Sequence, residues 1–382
     1  MSSAVVIGAG VVGAAVAYHL AEAGCAVTVV EAGEPAGGAT GHSFARLSAF
    51  DKDPYDYFRL NNAGIAEHAR LAAELDRPGA AGWLHPCTAF IWADPDRRAA
   101  LAARAGQLAE WGYPLRWRAV DEVNAELAAP LRGAAATGPL LHATDEGWVD
   151  APALAARLLA GAARRGAQLR TGTAVVGLAR AGAGWLVDLS AAGQQLPTDV
   201  VVNAAGAAAG AVAGYAGASV QLTPSPGLLL DLALPGDPVR HIVHGTQVSI
   251  RPDGAGRAVI RSDQVDQRLA AEPRPVPPAV LAELGAELLR RAAAVIPALA
   301  RATVRGRRIG WRVLPAGGYP SIGGVPGLPG YHQAVSHSGV ILAPLIGRLL
   351  ATEITTGRVA DLLRPYHPEA VGVDAAGMGG GR

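Results

Sequence analysis

Apolar and polar positions change period several times along the chain, and each change predicts an element. Val5–Glu31 opens on a short apolar run, as expected of a buried strand, and continues as a glycine turn, a small-residue stretch of helical length and a second strand that ends in an acid. Tyr55–Leu75 has a helical pattern, with Asp53 and Pro54 as cap and first-turn residues. Gly82–Asp94 reads as strands, and Pro95–Gly112 as a helix with Leu101, Leu108 and Trp111 on one side. Asp150 caps a further helix, in which Leu154 and Leu158 recur at helical spacing and which Gly166 ends. Short strands are expected at Gln168–Arg170, Ala174–Leu178, Trp185–Leu189 and Val200–Asn203. A β-rich segment covers Leu228–Leu232, Gln247–Arg251 and Ala258–Arg261, followed by a helix at Leu281–Val295. The last region predicts a strand at Tyr331–Val335, a turn SHSG and a helix through Ile354. Proline is tolerated only in a helix's first turn, so Pro344 predicts a start around Leu342. The Gly-rich Met378–Arg382 reads as a flexible tail.

Composition narrows the partners. At 382 residues, half of them hydrophobic, the chain suits two domains with a large core. A net charge of +1 with no basic block argues against nucleic acid. Two cysteines, Cys25 and Cys87, have no metal or redox spacing and exclude a disulfide framework. The opening apolar run belongs to the glycine-rich strand rather than to a signal peptide. Val201–Val220 is uncharged but Ala/Gly-rich and interrupted by Asn203, so a soluble cytoplasmic protein is expected. The only lysine is Lys52, against abundant Ala, Gly, Arg and Pro, which reads as the base composition of the gene.

The chemistry begins between the first two strands. Gly8, Gly10 and Gly13 stand in G-x-G-x-x-G order between strand and helix. The first permits the tight turn, the second lets backbone approach a pyrophosphate, and the third lets helix and strand pack closely. Open N–H groups and the helix dipole then favour phosphate, and Glu31, ending the second strand, suits a ribose hydroxyl. The spacing serves NAD and FAD alike; its N-terminal position favours FAD, and Glu31 would repel a 2′-phosphate.

Four separated motifs carry a resemblance. They are VVIGAGVVGAAVAYHLAEAGCAVTVVEA, DEGWVDAPALAARLLAGAARRGAQLRTGTAVVGL, DVVVNAAGAAAGAVA and GWRVLPAGGYPSIGGVPGLPGYHQAVSHSGVILAPLIGRLLATEI. In this order the chain, from Val5 to Tyr366, resembles the FAD-dependent D-amino-acid oxidase superfamily, which includes glycine and sarcosine oxidases and D-amino-acid dehydrogenases. The resemblance implies an α/β fold: a doubly wound, glutathione-reductase-like Rossmann FAD domain interleaved with a β-rich α+β substrate domain. The FAD domain would comprise residues 1–82, 148–218 and 306–366, and the substrate domain 83–147 and 219–305, with 367–382 as a tail.

The resemblance also implies site residues. FAD would be bound by Gly8, Gly10, Val11, Val12, Gly13, Glu31 and Ala32, and by Thr40, Gly41, His42, Ser43, Arg46 and Leu47 in the following loop. Val175 would meet adenine, Ala205 and Gly206 the dinucleotide, and Ser338, Gly339, Val340 and Ile341 the flavin. Thr40 and Ser43 would donate to phosphate oxygens. Arg312, in G-W-R-V-L-P, would grip a substrate carboxylate through two parallel hydrogen bonds. Arg46 would stabilise the electron-rich reduced ring. His42 matches a loop histidine that some dimethylglycine-oxidising relatives bind covalently to flavin; His337 would be a wall of the ring site. Ser249 stands where amino-acid oxidases carry an aromatic lid, no lysine stands near Val259, and Gly317-Gly318-Tyr319-Pro320 lacks an acid.

The implied reaction is hydride transfer from the α-carbon of an amino acid or N-alkyl amino acid to flavin N5. The resulting imine hydrolyses, and oxygen or another acceptor reoxidises the flavin. T-G-H-S is also similar to the loop of 2-hydroxyglutarate dehydrogenases, so a 2-hydroxy-acid dehydrogenase is a rival reading. A non-catalytic flavin-binding protein and a nicotinamide dehydrogenase are two more.

Overall fold

The computed structural model describes residues 2–75, 82–191 and 193–368. The expected tail at Met378–Arg382 lies outside the described residues. The chain forms two compact units: Met1–Leu84, Val149–Ser225 and Trp311–Arg382 make the first, His85–Trp148 and Pro226–Gly310 the second.

The first unit is built on β1 (Ser3–Ile7), α1 (Val11–Glu22), β2 (Ala26–Val30) and α2 (Tyr55–Leu75). Its six-stranded sheet runs in the order Ser321–Gly324, Tyr331–Val335, Val200–Asn203, β1, β2, Gln168–Arg170. All neighbours are parallel except the edge pair Ser321–Gly324 with Tyr331–Val335. Alternation along β1 divides the core. Ala4 and Val6 join α1, the helix Ala151–Ala163 and the last helix Gly339–Thr356 on one face. Val5 and Ile7 join Val175, Trp185 and Val187 of a three-stranded antiparallel sheet on the other. Both faces of the parallel sheet are thereby covered, as such a sheet requires.

Among the described residues the last helix alone is long and apolar enough to cross a membrane, and 67% of it is buried inside the fold. It starts at Gly339, not Leu342, so Pro344 lies inside the helix rather than in a first turn at its head. Proline has no N–H to offer Val340 O, four residues earlier. His68 of α2 replaces it: its Nε2 bonds Val340 O at 2.9 Å. A side chain 272 positions away thus satisfies the carbonyl that the proline abandons.

The second unit carries an eight-stranded sheet in the order Thr303–Arg312, Ser225–Ala233, Arg257–Arg261, Ser249–Pro252, Ile242–Gly245, Ala89–Trp92, Leu140–Ala143, Leu115–Arg118. Leu228, Leu230, Ile250, Ala258 and Ile260 alternate onto one face and pack with Leu284 and Leu288 of the helix Pro278–Val295. The strand Thr303–Arg312 carries the chain back into the first unit at Trp311.

Candidate functional site

The glycine turn is as tight as its spacing demands. Gly8 has φ +105°, and a Cβ there would lie 2.5 Å from Ala204 O. A Cβ on Gly13 would lie 2.0 Å from Gly8 O, so α1 can approach the turn only without one. Gly10 is the N-cap of α1 and supplies no side chain. Thr40 reaches over instead, its Oγ1 accepting from Val11 N at 3.0 Å.

Glu31 is the strut of this end. Its Oε2 accepts from Ala9 N at 2.8 Å and its Oε1 from Gly33 N at 2.9 Å, tying the glycine turn to the loop after β2. A carboxylate has about four acceptor positions, so capacity for a hydroxyl donor remains. Backbone bonds from Thr173 N to Glu31 O and Gly172 N to Gly33 O then bring the approach to Val175 alongside. Val175 itself is buried with Ile7 and Val30 at the ends of β1 and β2.

On the opposite side of the turn, Ala204 follows the buried Asn203. Asn203 Nδ2 donates to Ala209 O and to Tyr331 Oη at 2.9 and 3.0 Å, and its Oδ1 accepts from Ala205 N. These bonds hold the Ala204–Gly206 corner. Val313 Cγ2 would lie 3.7 Å from a Cβ on Gly206, so the residue after Arg312 packs against this corner. Bonds from Thr223 N to Leu314 O and Ala316 N to Gln221 O fix the segment that follows. Arg312 is half-buried, with Nη1 3.3 Å from Ser225 Oγ.

The start of the last helix closes the ring of contacts. A Cβ on Gly339 would lie 3.3 Å from Val12 Cγ2, so the N-termini of α1 and of the last helix meet. Each offers first-turn N–H groups and the positive end of its dipole. Ser338, the N-cap, has φ 58° and makes no capping bond with its side chain. Its Oγ instead meets Lys52 Nζ at 2.8 Å and Tyr57 Oη at 3.2 Å. Burial raises the Tyr57 phenol above its ordinary range, which keeps it a donor.

The remaining expected residues are placed as follows. His42 Nδ1 donates to Gly38 O at 2.8 Å. Ser43 Oγ accepts from Ala45 N, and Arg46 and the buried Leu47 form a short strand. His337 precedes Ser338, 3.5 Å from its hydroxyl. Ser249 lies in the second unit, buried, with its Oγ 2.8 Å from His244 Nδ1. Gly8, Gly10, Val11, Val12, Gly13, Glu31, Thr40, Ala205, Gly206, Ser338 and Gly339 are therefore brought together in one unit. Lys52, Tyr57, His68 and Asn203 are the residues that sequence reasoning missed. Only Lys52 carried a signal there, as the lone lysine among 33 basic residues.

An anion-rich, elongated ligand suits this place. Two helix N-termini converge on it, and Gly8 and Gly13 keep the turn tight where a Cβ would collide with backbone. A family model described as FAD dependent oxidoreductase (DAO) matches residues 3–353. The chain is 26% identical over 384 residues to an uncharacterized oxidoreductase, YurR, of Bacillus subtilis (strain 168), which covers 96% of this chain and 99% of that protein. It is 27% identical over 361 residues to a glycine oxidase of Bacillus licheniformis, covering 92% of each. The crystal structure of iminodiacetate oxidase from Chelativorans sp. BNC1 matches with a TM-score of 0.81 at 26% identity, covering 96% of this chain and 98% of that one.

Proposed function

The chain belongs to the DAO family of FAD-dependent oxidoreductases, and from that premise we propose that it oxidises the C–N bond of a small amino acid or N-alkyl amino acid. Its cofactor is FAD. In this reading Gly8, Gly10, Val11, Val12, Gly13, Thr40 and Ser43 hold the pyrophosphate, Glu31 and Ala32 the ribose, and Val175 the adenine. The loop Gly41–Leu47, Ala205–Gly206 and Ser338–Ile341 flank the rest. Bound FAD supplies the acceptor for the hydride that leaves the substrate α-carbon.

The protein's own part is positioning and charge. Arg312 takes the carboxylate in a bidentate grip and fixes the α-carbon. Arg312 and Arg46 together make the site cationic, which lowers the amine pKa and favours binding of the neutral amine. Loss of hydride from that amine leaves a C=N bond, which water hydrolyses to a carbonyl compound and an amine or ammonia. The observation that carries this reading is the placement of Arg312, one residue before the contact with the Gly206 corner. Two relatives support the substrate class: by name they act on glycine and on iminodiacetate, both amines beside a carboxylate. Two free cysteines suit a reducing compartment, and we place the enzyme in the cytoplasm.

Anaerobic mixing with a panel of amino, N-alkyl amino and 2-hydroxy acids tests the reading. Glycine-like amines are expected to bleach the flavin. Bleaching by hydroxy acids alone overturns the amine chemistry, and no bleaching by either class favours a non-catalytic flavoprotein. Arg312→Met is expected to raise KM on the order of 100-fold through loss of two charge-assisted bonds, with FAD content unchanged.

A further inference from the structure

The start of the last helix carries a cation where helix stability does not want one. Lys52 Nζ donates to Ser338 Oγ at 2.8 Å, at the N-terminus of an 18-residue helix. The dipole already concentrates about half a positive charge there, and a stabilising lysine would sit at the opposite end. Ser338 is arranged around the same contact. It is a non-glycine residue in the left-handed region, and its hydroxyl has left the capping position that serine usually takes. That hydroxyl accepts from Lys52 and from Tyr57 together. The helix N–H groups beneath it are thereby left without the cap that would neutralise them.

Two further observations fix the arrangement. Tyr57, Gly64 and His68 lie along one face of α2 and meet the helix start at successive points. Tyr57 bonds Ser338, a Cβ on Gly64 would lie 2.8 Å from Ile341 O, and His68 bonds Val340 O. In addition, every other member of the 33 basic residues is arginine. A chain that writes its cations as arginine keeps lysine at 52, where one hydroxyl oxygen calls for a compact ammonium rather than a planar fork.

We propose that Lys52 is a positioning residue for negative charge on the cofactor: fixed on Ser338, its ammonium adds to the field of the last helix and favours the reduced flavin. The proposal rests on the FAD reading above. A flavin that has taken up one hydride, two electrons with one proton, carries one added negative charge. The uncapped helix start and Lys52, anchored on Ser338, both contribute charge of the right sign there. The role is electrostatic: the ammonium is held by Ser338 and donates no proton to substrate.

The test uses the FAD-loaded enzyme, with sulfite as probe, since sulfite adds to flavin to give an anionic adduct. Lys52→Met is expected to weaken sulfite binding about tenfold and to lower the two-electron midpoint potential by about 30 mV, the equivalent factor. Lys52→Arg, which keeps the charge but not the compact ammonium, should recover only part of both values. Ser338→Ala, which releases the ammonium from its anchor, should move both in the same direction by a smaller factor. Unchanged sulfite affinity and midpoint in a Lys52→Met enzyme that retains FAD overturn the proposal. If Lys52→Met purifies without FAD, unchanged values in Ser338→Ala overturn it. Absence of FAD from the unaltered protein would overturn the cofactor reading instead.

Discussion

The two helix starts that meet at Val12 and Gly339 are made in opposite ways. The head of α1 is fixed from nearby in the chain: three glycines, Glu31 and Thr40 all lie within the first 40 positions. The head of the last helix is fixed from a distance, by Lys52, Tyr57, Gly64 and His68 of another segment. A site assembled from a short stretch leaves a spacing pattern that can be read. A site held by remote side chains leaves isolated residues that look like ordinary core or surface.

Substitution should separate the two designs. Gly13→Val is expected to have the largest effect, since its Cβ would fall 2.0 Å from Gly8 O. It should cost more than about 4 kcal/mol and abolish flavin absorbance in the purified protein. Gly339→Ala, whose Cβ would meet Val12 Cγ2 at 3.3 Å, should retain the flavin.

Acid should attack the distant design. Burial lowers the His68 imidazole from its ordinary 6.5 to about 4, against smaller opposing effects of its bonds to the backbone of Val340 and Ile341 and of the Glu67 charge. The folded state therefore favours the neutral ring, whereas the unfolded chain takes up a proton near pH 6.5. The contribution is fully present above 6.5 and is lost as pH falls from 6.5 to about 4. The loss reaches at most about 3 kcal/mol, measurable as a falling urea midpoint. Protonation has nowhere to go: His68 Nδ1 is buried and finds no hydrogen-bond partner among the described residues.

His68→Leu should lower stability at pH 8 by about 2 kcal/mol, because it leaves Val340 O without a donor. The same variant should also lose that part of the acid sensitivity, because burial of the ring is its source. Thr40→Val should have the smallest effect, about 1 kcal/mol in thermal unfolding, from loss of the cap on Val11 N.

Much of the fold was legible. Tyr55–Leu75, Gln168–Arg170, Val200–Asn203 and Tyr331–Val335 have the bounds that their hydrophobic pattern predicts. Asp150 caps its helix as expected, accepting from Ala153 N at 3.0 Å. The start of the last helix was not legible, because the rule against interior proline is local and the donor that relaxes it is not. Lys52 stands out in the sequence only as a compositional oddity. Its contact with Ser338 spans 286 positions and depends on a serine hydroxyl that has abandoned its cap. Asn203 looked like an interruption in an apolar run; buried, it ties the corner Ala204–Gly206 to Tyr331.

The meeting of Val12 with Gly339 also bears on how the protein is made. Chains emerge from the ribosome from the N-terminal end at about 5–20 residues per second. The glycine turn leaves the ribosome more than 300 positions ahead of its partner helix. In the proposed reading both helix starts hold the cofactor, so nascent chains stalled before Gly339 should emerge colourless.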